Sequence, residues 1–280
     1  MHCRHLIQLK SGLLVPCGKC PSCLANQRQE WIFRLKQEFL ASEFALFVTL
    51  TYDEEHIPLD FSVNKKDVQN FHKRLRKHFP PGDLRFYLVS EYGDHTHRPH
   101  YHGLYFFKSK YDLDHVYEVF LSSWKNGFLK FGNVEEGSIV YCTKYCMKGS
   151  ATPAGCTPPF RLVSKMNGGL GSYYLEKMSS YHLESGNFDF VSSNGQRSRF
   201  PRYLKDKLLQ GIKNPYLSER LEEERLQQMR DTSAKRFKDF CDTHKGLSFA
   251  EACEAFQKKE KDLIRRSEDL VKNHVKKQTF

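Results

Sequence analysis

Residues 84 to 107 read LRFYLVSEYGDHTHRPHYHGLYFF, and this stretch decides the architecture. Leu84 to Glu91 and His100 to Phe107 are short runs rich in apolar and aromatic residues. The segment between them, Tyr92 to Pro99, is polar and holds Gly93, Asp94 and Pro99. Two such runs around a turn-forming segment predict a pair of strands joined as a hairpin. Upstream, Phe44 to Thr51 (FALFVTLT) is a run of the same kind, and Phe128 to Val134 is another downstream. The gaps carry helical spacing. Val68, Phe71 and Leu75 mark a helix over Lys65–His78, stopped by Pro80-Pro81-Gly82. Asp112 is placed to cap a helix holding Leu113, Val116, Phe120 and Trp124. The order from 44 to 134 is therefore β-α-β-β-α-β, which predicts an α+β fold: a ferredoxin-like, mainly antiparallel sheet flanked by helices.

A helix is expected before this unit, over Pro21–Ser42, with Leu24, Arg28, Trp31, Leu35 and Phe39 recurring at steps of three and four. Another is expected after it, capped by Ser138, running to Lys148 and ended by Gly149. Four regions result: a Cys-rich segment and helix over 1–43, a core over 44–150, a Gly/Ser/Pro-rich continuation over 151–215, and a basic helical extension over 216–280.

The 280 residues carry 44 Lys+Arg against 33 Asp+Glu, a formal net charge of +11. This balance favours an acidic partner, with nucleic acid foremost. Residues 61–150 hold 14 basic and 9 acidic side chains, with Lys73, Arg74, Arg76 and Lys77 clustered on one short helical segment. Alone, that cluster is an ordinary solvated helix face; in a DNA-binding protein it becomes a set of phosphate contacts. No apolar run is long enough to span a bilayer, so no membrane role is expected. Residues 1–20 contain only the short apolar run Leu13-Leu14-Val15, so no signal peptide is expected either.

His100-Tyr101-His102 lies inside a predicted strand, where residues two apart face the same way. The hairpin return brings Glu91 beside them. Two imidazoles and a carboxylate form a divalent-metal set with open positions. An isolated H-x-H is more often structural, but four histidines and a glutamate fall within the twelve residues 91–102. On the later helix, Tyr141 and Tyr145 stack one turn apart, as do Lys144 and Lys148. An isolated pair of that kind usually packs on a sheet. Here the lysines put cations beside the phenols and favour the nucleophilic phenolate. Cys17, Cys20 and Cys23 form C-x2-C-x2-C just before a helix, and Cys3 can complete a closed structural zinc site. Buried free thiols are the plainer reading. Cys142 and Cys146 read as small core residues.

These motifs, taken in order, resemble the replication initiators of microviruses, most closely the gokushovirus branch, which are HUH endonucleases. The resemblance spans roughly residues 15 to 215. It rests on Cys17-Gly18-Lys19-Cys20 leading to Cys23, Arg28 and Trp31, and on Phe47-Val48-Thr49-Leu50-Thr51-Tyr52. It continues through Arg98-Pro99-His100-Tyr101-His102-Gly103, YCTKYCMK at 141–148, and Pro201-Arg202-Tyr203. Tyr101, where the family has an aliphatic residue, is a departure. The resemblance implies that His100 and His102 bind Mg²⁺ or Mn²⁺ with Glu91 as third ligand. It implies that Tyr141 or Tyr145 attacks DNA to leave a 5′-phosphotyrosine, with Lys144 stabilising charge on the phosphate and Lys148 contacting DNA. The expected partners are single-stranded and replicative-form phage DNA, and the expected place is the host bacterial cytoplasm. With no G-x4-G-K-[ST] in the chain, a host helicase and a host DNA polymerase are expected to supply unwinding and synthesis.

Three competing readings separate by experiment. A plasmid relaxase or HUH transposase would use the same chemistry on another DNA. An iron oxygenase using His100, His102 and Glu91 would need no tyrosine. A zinc-stabilised nucleic-acid binder would cut nothing.

Overall fold

Side-chain alternation builds the central sheet. The computed structural model describes residues 3–277, apart from 4–6, 9, 11–13, 94, 95, 145–151, 192–196 and 211–214. In chain order the elements are β1 (Ile7–Gln8), β2 (Leu14–Val15), α1 (Pro21–Leu40), β3 (Phe44–Tyr52), α2 (Lys65–Leu75), β4 (Leu84–Tyr92), β5 (Pro99–Phe107), α3 (Leu113–Ser123), β6 (Gly127–Asn133) and α4 (Glu136–Lys144). They continue as β7 (Arg161–Val163), α5 (Tyr173–Ser185), β8 (Asp189–Val191), β9 (Arg197–Arg199), α6 (Arg202–Gln210), α7 (Pro215–Thr243) and α8 (Phe249–Lys277). The chain divides into two compact units, Trp31–Tyr174 and Met1–Glu30 with Leu175–Gln278.

The first unit holds a five-stranded antiparallel sheet in the order β6-β3-β5-β4-β7. Its first four strands follow the order expected of the split β-α-β-β-α-β unit, so the α+β, ferredoxin-like expectation holds. The fifth, β7, was not foreseen from the Gly/Ser/Pro-rich region. It pairs with the edge of β4 through three residues, Leu88 lying opposite Leu162.

Each strand sends alternate residues to opposite faces. On one face Leu46, Val48, Leu50, Phe86, Leu88, Tyr101, Tyr105 and Phe107 join Val68, Phe71 and Leu75 of α2 and Val116 and Phe120 of α3 in one core. Gly103 belongs here for a steric reason: a Cβ on it would meet the Tyr105 ring at 2.4 Å. On the other face Tyr87, Val89, Leu104 and Phe106 pack with Leu35 of α1, Ile139 and Cys142 of α4, and Leu170. Arg85 and Glu38 form a buried ion pair at 2.9 Å, and the Gly171 N–H donates to Glu38 at 2.7 Å. Burial raises the Glu38 carboxyl above its ordinary range, while Arg85 opposes the rise.

Short polar side chains set two of the helix starts. Asp112 accepts from the Asp114 N–H at the start of α3, as expected. Asn64 does the same for α2, accepting from Lys66 and Asp67. Ser138 does not cap α4. The helix begins two residues earlier, at Glu136, and the Ser138 hydroxyl instead receives the Glu135 N–H at 2.7 Å. The expected stop at Gly149 lies outside the described residues.

In the second unit β1 pairs with β2 and β8 with β9. The helices α7 and α8 meet through Phe237, Phe240, Phe249 and Phe256. Among the described residues no helix is long and apolar enough to cross a membrane.

Candidate active site at one end of the sheet

Register sets the site. Glu91 of β4 lies directly opposite His100 of β5, and His102 lies between Val89 and Thr49 on its two neighbours. Glu91, His100 and His102 therefore share the sheet face that also carries Tyr87 and Leu104. Diagonally across the pair, Glu91 Oε2 sits 3.0 Å from His102 Nε2, both residues being largely buried. His102 Nδ1 is 3.1 Å from the Thr49 hydroxyl. A hydroxyl both donates and accepts, so Thr49 supports either imidazole tautomer: one offers Nε2–H to Glu91, the other leaves an Nε2 lone pair.

From α4, the Tyr141 hydroxyl donates to the same Glu91 Oε2 at 3.2 Å. Its ring stands perpendicular to His102 with centroids 5.2 Å apart, and Phe47 packs beside both. The Lys144 ammonium lies 4.0 Å from the centre of the Tyr141 ring. Helix α4 achieves this by burying Ile139 and Cys142 against the sheet, which leaves Tyr141 half-buried at its rim.

His100 is half-buried, and its Nδ1 is a buried atom with no hydrogen-bond partner. Burial, reinforced by His102, pushes its imidazole pKa down, so it stays neutral and able to ligate. Its Nε2 faces Gly93, where an added Cβ would lie 3.2 Å away. Two imidazoles and a carboxylate on one face, one imidazole nitrogen lacking a partner, fit a hard divalent cation.

Tyr101 shows how the family's aliphatic position takes a phenol. It points to the opposite face, is fully buried, and its hydroxyl meets Tyr52 at 3.0 Å and the Asn64 N–H at 2.7 Å. Burial pushes its pKa up to about 12.

The basic cluster is not at this site. Helix α2 packs on the face away from Glu91, and with it Lys73, Arg76 and Lys77, all exposed there. Arg74 is engaged structurally, donating to the Ser123 carbonyl at 2.8 Å. Two residues that sequence reasoning missed do lie on the site's face. On β6, Phe128 pairs with Thr51 and Lys130 with Thr49, which in turn pair with His100 and His102. Phe128 is 68% exposed and Lys130 is exposed. Strand alternation from Thr49 and Thr51 was the sign that could have found them. Tyr145 and Lys148 lie outside the described residues.

In the second unit the four N-terminal cysteines come together, with their sulfur atoms all within 4.8 Å of one another. Cys17 accepts the N–H of Lys19 at 3.4 Å and of Cys20 at 3.3 Å, and these bonds lower its thiol to about 6. Burial pushes Cys23 up to about 12.

A family model described as replication-associated protein ORF2 matches residues 45–150, the stretch that carries this sheet and α4. The replication-associated protein of Bdellovibrio phage phiMH2K is 30% identical over 213 residues, covering 68% of this chain and 66% of that protein. Those of Chlamydia phage 1 and Spiroplasma virus 4 are each 27% identical, over 69% and 68% of this chain and 53% and 66% of their own lengths. The chain thus spans between half and two thirds of the relatives it matches. No solved structure matches it. The matched stretch and these relatives agree with the order of motifs along the chain, which belongs to the family of microvirus-like phage replication-associated proteins.

Proposed function

We propose that the chain initiates rolling-circle replication of a small phage genome by nicking single-stranded origin DNA with a tyrosine. The observation that carries this reading is the contact of the Tyr141 hydroxyl with Glu91 Oε2, itself 3.0 Å from His102 Nε2. It joins a phenol, a carboxylate and an imidazole on an otherwise apolar sheet face.

The reaction needs little else from the protein. Tyr141 Oη attacks the phosphorus of a phosphodiester, and its proton passes to the Glu91 carboxylate to which it already points. The new P–O bond to tyrosine forms as the P–O3′ bond breaks. The leaving 3′-oxygen takes a proton from water, giving a free 3′-hydroxyl and a 5′-phosphotyrosine. One phosphodiester has exchanged for another, so the reverse attack reseals the strand without ATP. Lys144 stands close enough to Tyr141 to offset charge that gathers on the phosphate oxygens. Tyr145, one turn on, is the natural second nucleophile for cutting the regenerated origin.

His100, His102 and Glu91 would hold Mg²⁺ or Mn²⁺, which when bound supplies Lewis-acid polarisation of the scissile phosphate. Thr49 fixes the His102 ring for that role. Phe128 and Lys130 extend the site across β6, the ring to stack a base and the ammonium to meet the backbone. A host helicase and a host polymerase complete the replication cycle.

The test is incubation of the full chain with single-stranded segments of the phage genome and Mn²⁺. A protein–DNA adduct that survives denaturation, at one genomic position, and that EDTA prevents, is the expected result. An adduct still formed by the Tyr141→Phe/Tyr145→Phe variant overturns the reading. Preference for a plasmid transfer origin or a transposon end instead assigns the same chemistry to a relaxase or a transposase.

A further inference from the structure

The structure assigns Cys3, Cys17, Cys20 and Cys23 to one tetrahedral zinc ion that fastens the β1–β2 hairpin to the start of α1. The four sulfurs lie within 4.8 Å of one another, with Cys3 to Cys20 at 3.8 Å and Cys17 to Cys23 at 4.0 Å. A Zn–S bond of about 2.3 Å implies a tetrahedral S···S edge of about 3.8 Å. The pairs match that edge. They are far from the roughly 2.05 Å of a disulfide, so the cysteines are arranged around a shared point rather than bonded in twos.

The surroundings suit bound thiolates. Gly18, at φ 74°, turns the chain so that the N–H groups of Lys19 and Cys20 both point at Cys17 Sγ. The Cys17 N–H in turn points at Cys3 Sγ at 3.3 Å. Gln27 Nε2 holds the turn through the Gly18 carbonyl at 3.1 Å. Backbone donors of this kind offset the excess negative charge of a tetrathiolate centre. Cys20 and Cys23 are both buried, which shields the bonds they would make to the ion from water.

The fold also needs a fastener here. Strands β1 and β2 have two residues each, and Ile7 and Gln8 are exposed. A hairpin that short is not stable alone in water. Cys3 precedes β1, Cys17 follows β2, and Cys20 and Cys23 flank the first residue and first turn of α1. One ion therefore closes both ends of the hairpin onto the helix start.

The experiment is elemental analysis of the full chain, purified under reducing conditions without a metal-affinity step, followed by exchange of the bound ion for Co²⁺. Close to one equivalent of zinc is expected. The cobalt form should show the intense visible and near-ultraviolet bands of a tetrathiolate. Cys20→Ser and Cys23→Ser should each lose the zinc. His100→Ala/His102→Ala should keep all of it, which separates this site from the catalytic one. Co²⁺ absorption is read on unmodified protein, so misfolding of the cysteine variants leaves the test intact. Metal-free protein, an iron–sulfur chromophore, paired disulfides, or a cobalt spectrum without thiolate bands would each overturn the assignment.

Discussion

The Tyr141 hydroxyl donates to Glu91 Oε2 at 3.2 Å, and that oxygen also lies 3.0 Å from His102 Nε2. One carboxylate oxygen thus serves the nucleophile and the imidazole together. Glu91→Gln preserves shape but removes the charge and the proton acceptor. Its rate of adduct formation should fall by about 10² to 10⁴-fold, the usual worth of general acid–base help. Single-turnover gels of the covalent adduct measure it. An unchanged rate would remove Glu91 from the site.

Placement on the sheet divides the basic residues into two groups. Phe128→Ala should weaken single-stranded DNA binding by about 1–3 kcal/mol, the range for loss of one base stack. Lys130→Ala should reduce the slope of log affinity against log salt by about 0.7. Lys73→Ala/Lys77→Ala lies beyond the opposite face and should leave cleavage of a short single strand unchanged. Fluorescence anisotropy across a salt series, paired with cleavage assays, reads all three. Greater cleavage loss in the α2 variant than in Lys130→Ala would show that DNA approaches from the other side.

The buried pair Arg85–Glu38 is a structural anchor for α1 on the site's face. Arg85→Met strands a buried carboxylate and should cost about 3–5 kcal/mol. Arg85→Met/Glu38→Leu should recover most of that loss, since both charges are gone. Urea unfolding of the wild type and the two variants supplies the comparison. A double variant as unstable as the single would mean that packing, not charge, is the cause.

His72 should make the fold acid-sensitive. It is fully buried, stacks on Phe86 at 3.7 Å, and contacts the Tyr105 hydroxyl at 3.1 Å. Burial, with Arg76 nearby, lowers its pKa from 6.5 to about 3. The native state therefore stays neutral while the unfolded state takes up a proton. Its contribution is complete above pH 6.5 and is lost as pH falls towards 3, at about 1.4 kcal/mol per unit. Between pH 6.5 and 5 that is about 2 kcal/mol. His72→Phe/Tyr105→Phe keeps the stack without an orphaned hydroxyl and should lose that share of the acid dependence. Matched denaturation curves at pH 7 and pH 5 with equal slopes for both proteins would rule it out.

Much of this was readable in the chain. Alternation in FALFVTLT and HYHGLYFF sets both the strands and the shared face of His100 and His102, because a period of two has one geometric solution. Asp112 is a short side chain before an apolar helical run, and it caps as such residues do. Ser138 fits the same rule and fails because Glu136 already carries a helical conformation, which turns the serine hydroxyl into an acceptor for Glu135. Strand β7 has three residues and no measurable period, and only β4 beside it makes it a strand. The side of the sheet taken by α2 is a matter of crossover geometry, not of local pattern. Reading Lys73 and Lys77 by charge alone therefore said nothing about their distance from Glu91.

Tyr101 follows His100 directly in the chain, yet its hydroxyl emerges on the far side of the sheet among Tyr52 and Asn64. Tyr105 and Tyr52 are held on that side as well, and burial keeps all three protonated far beyond neutral pH. The sheet acts as a partition between phenols. A protein rich in tyrosine thereby protects a DNA strand from attack at the wrong oxygen, and leaves the choice of cut to a helix that can be repositioned without disturbing the wall behind it.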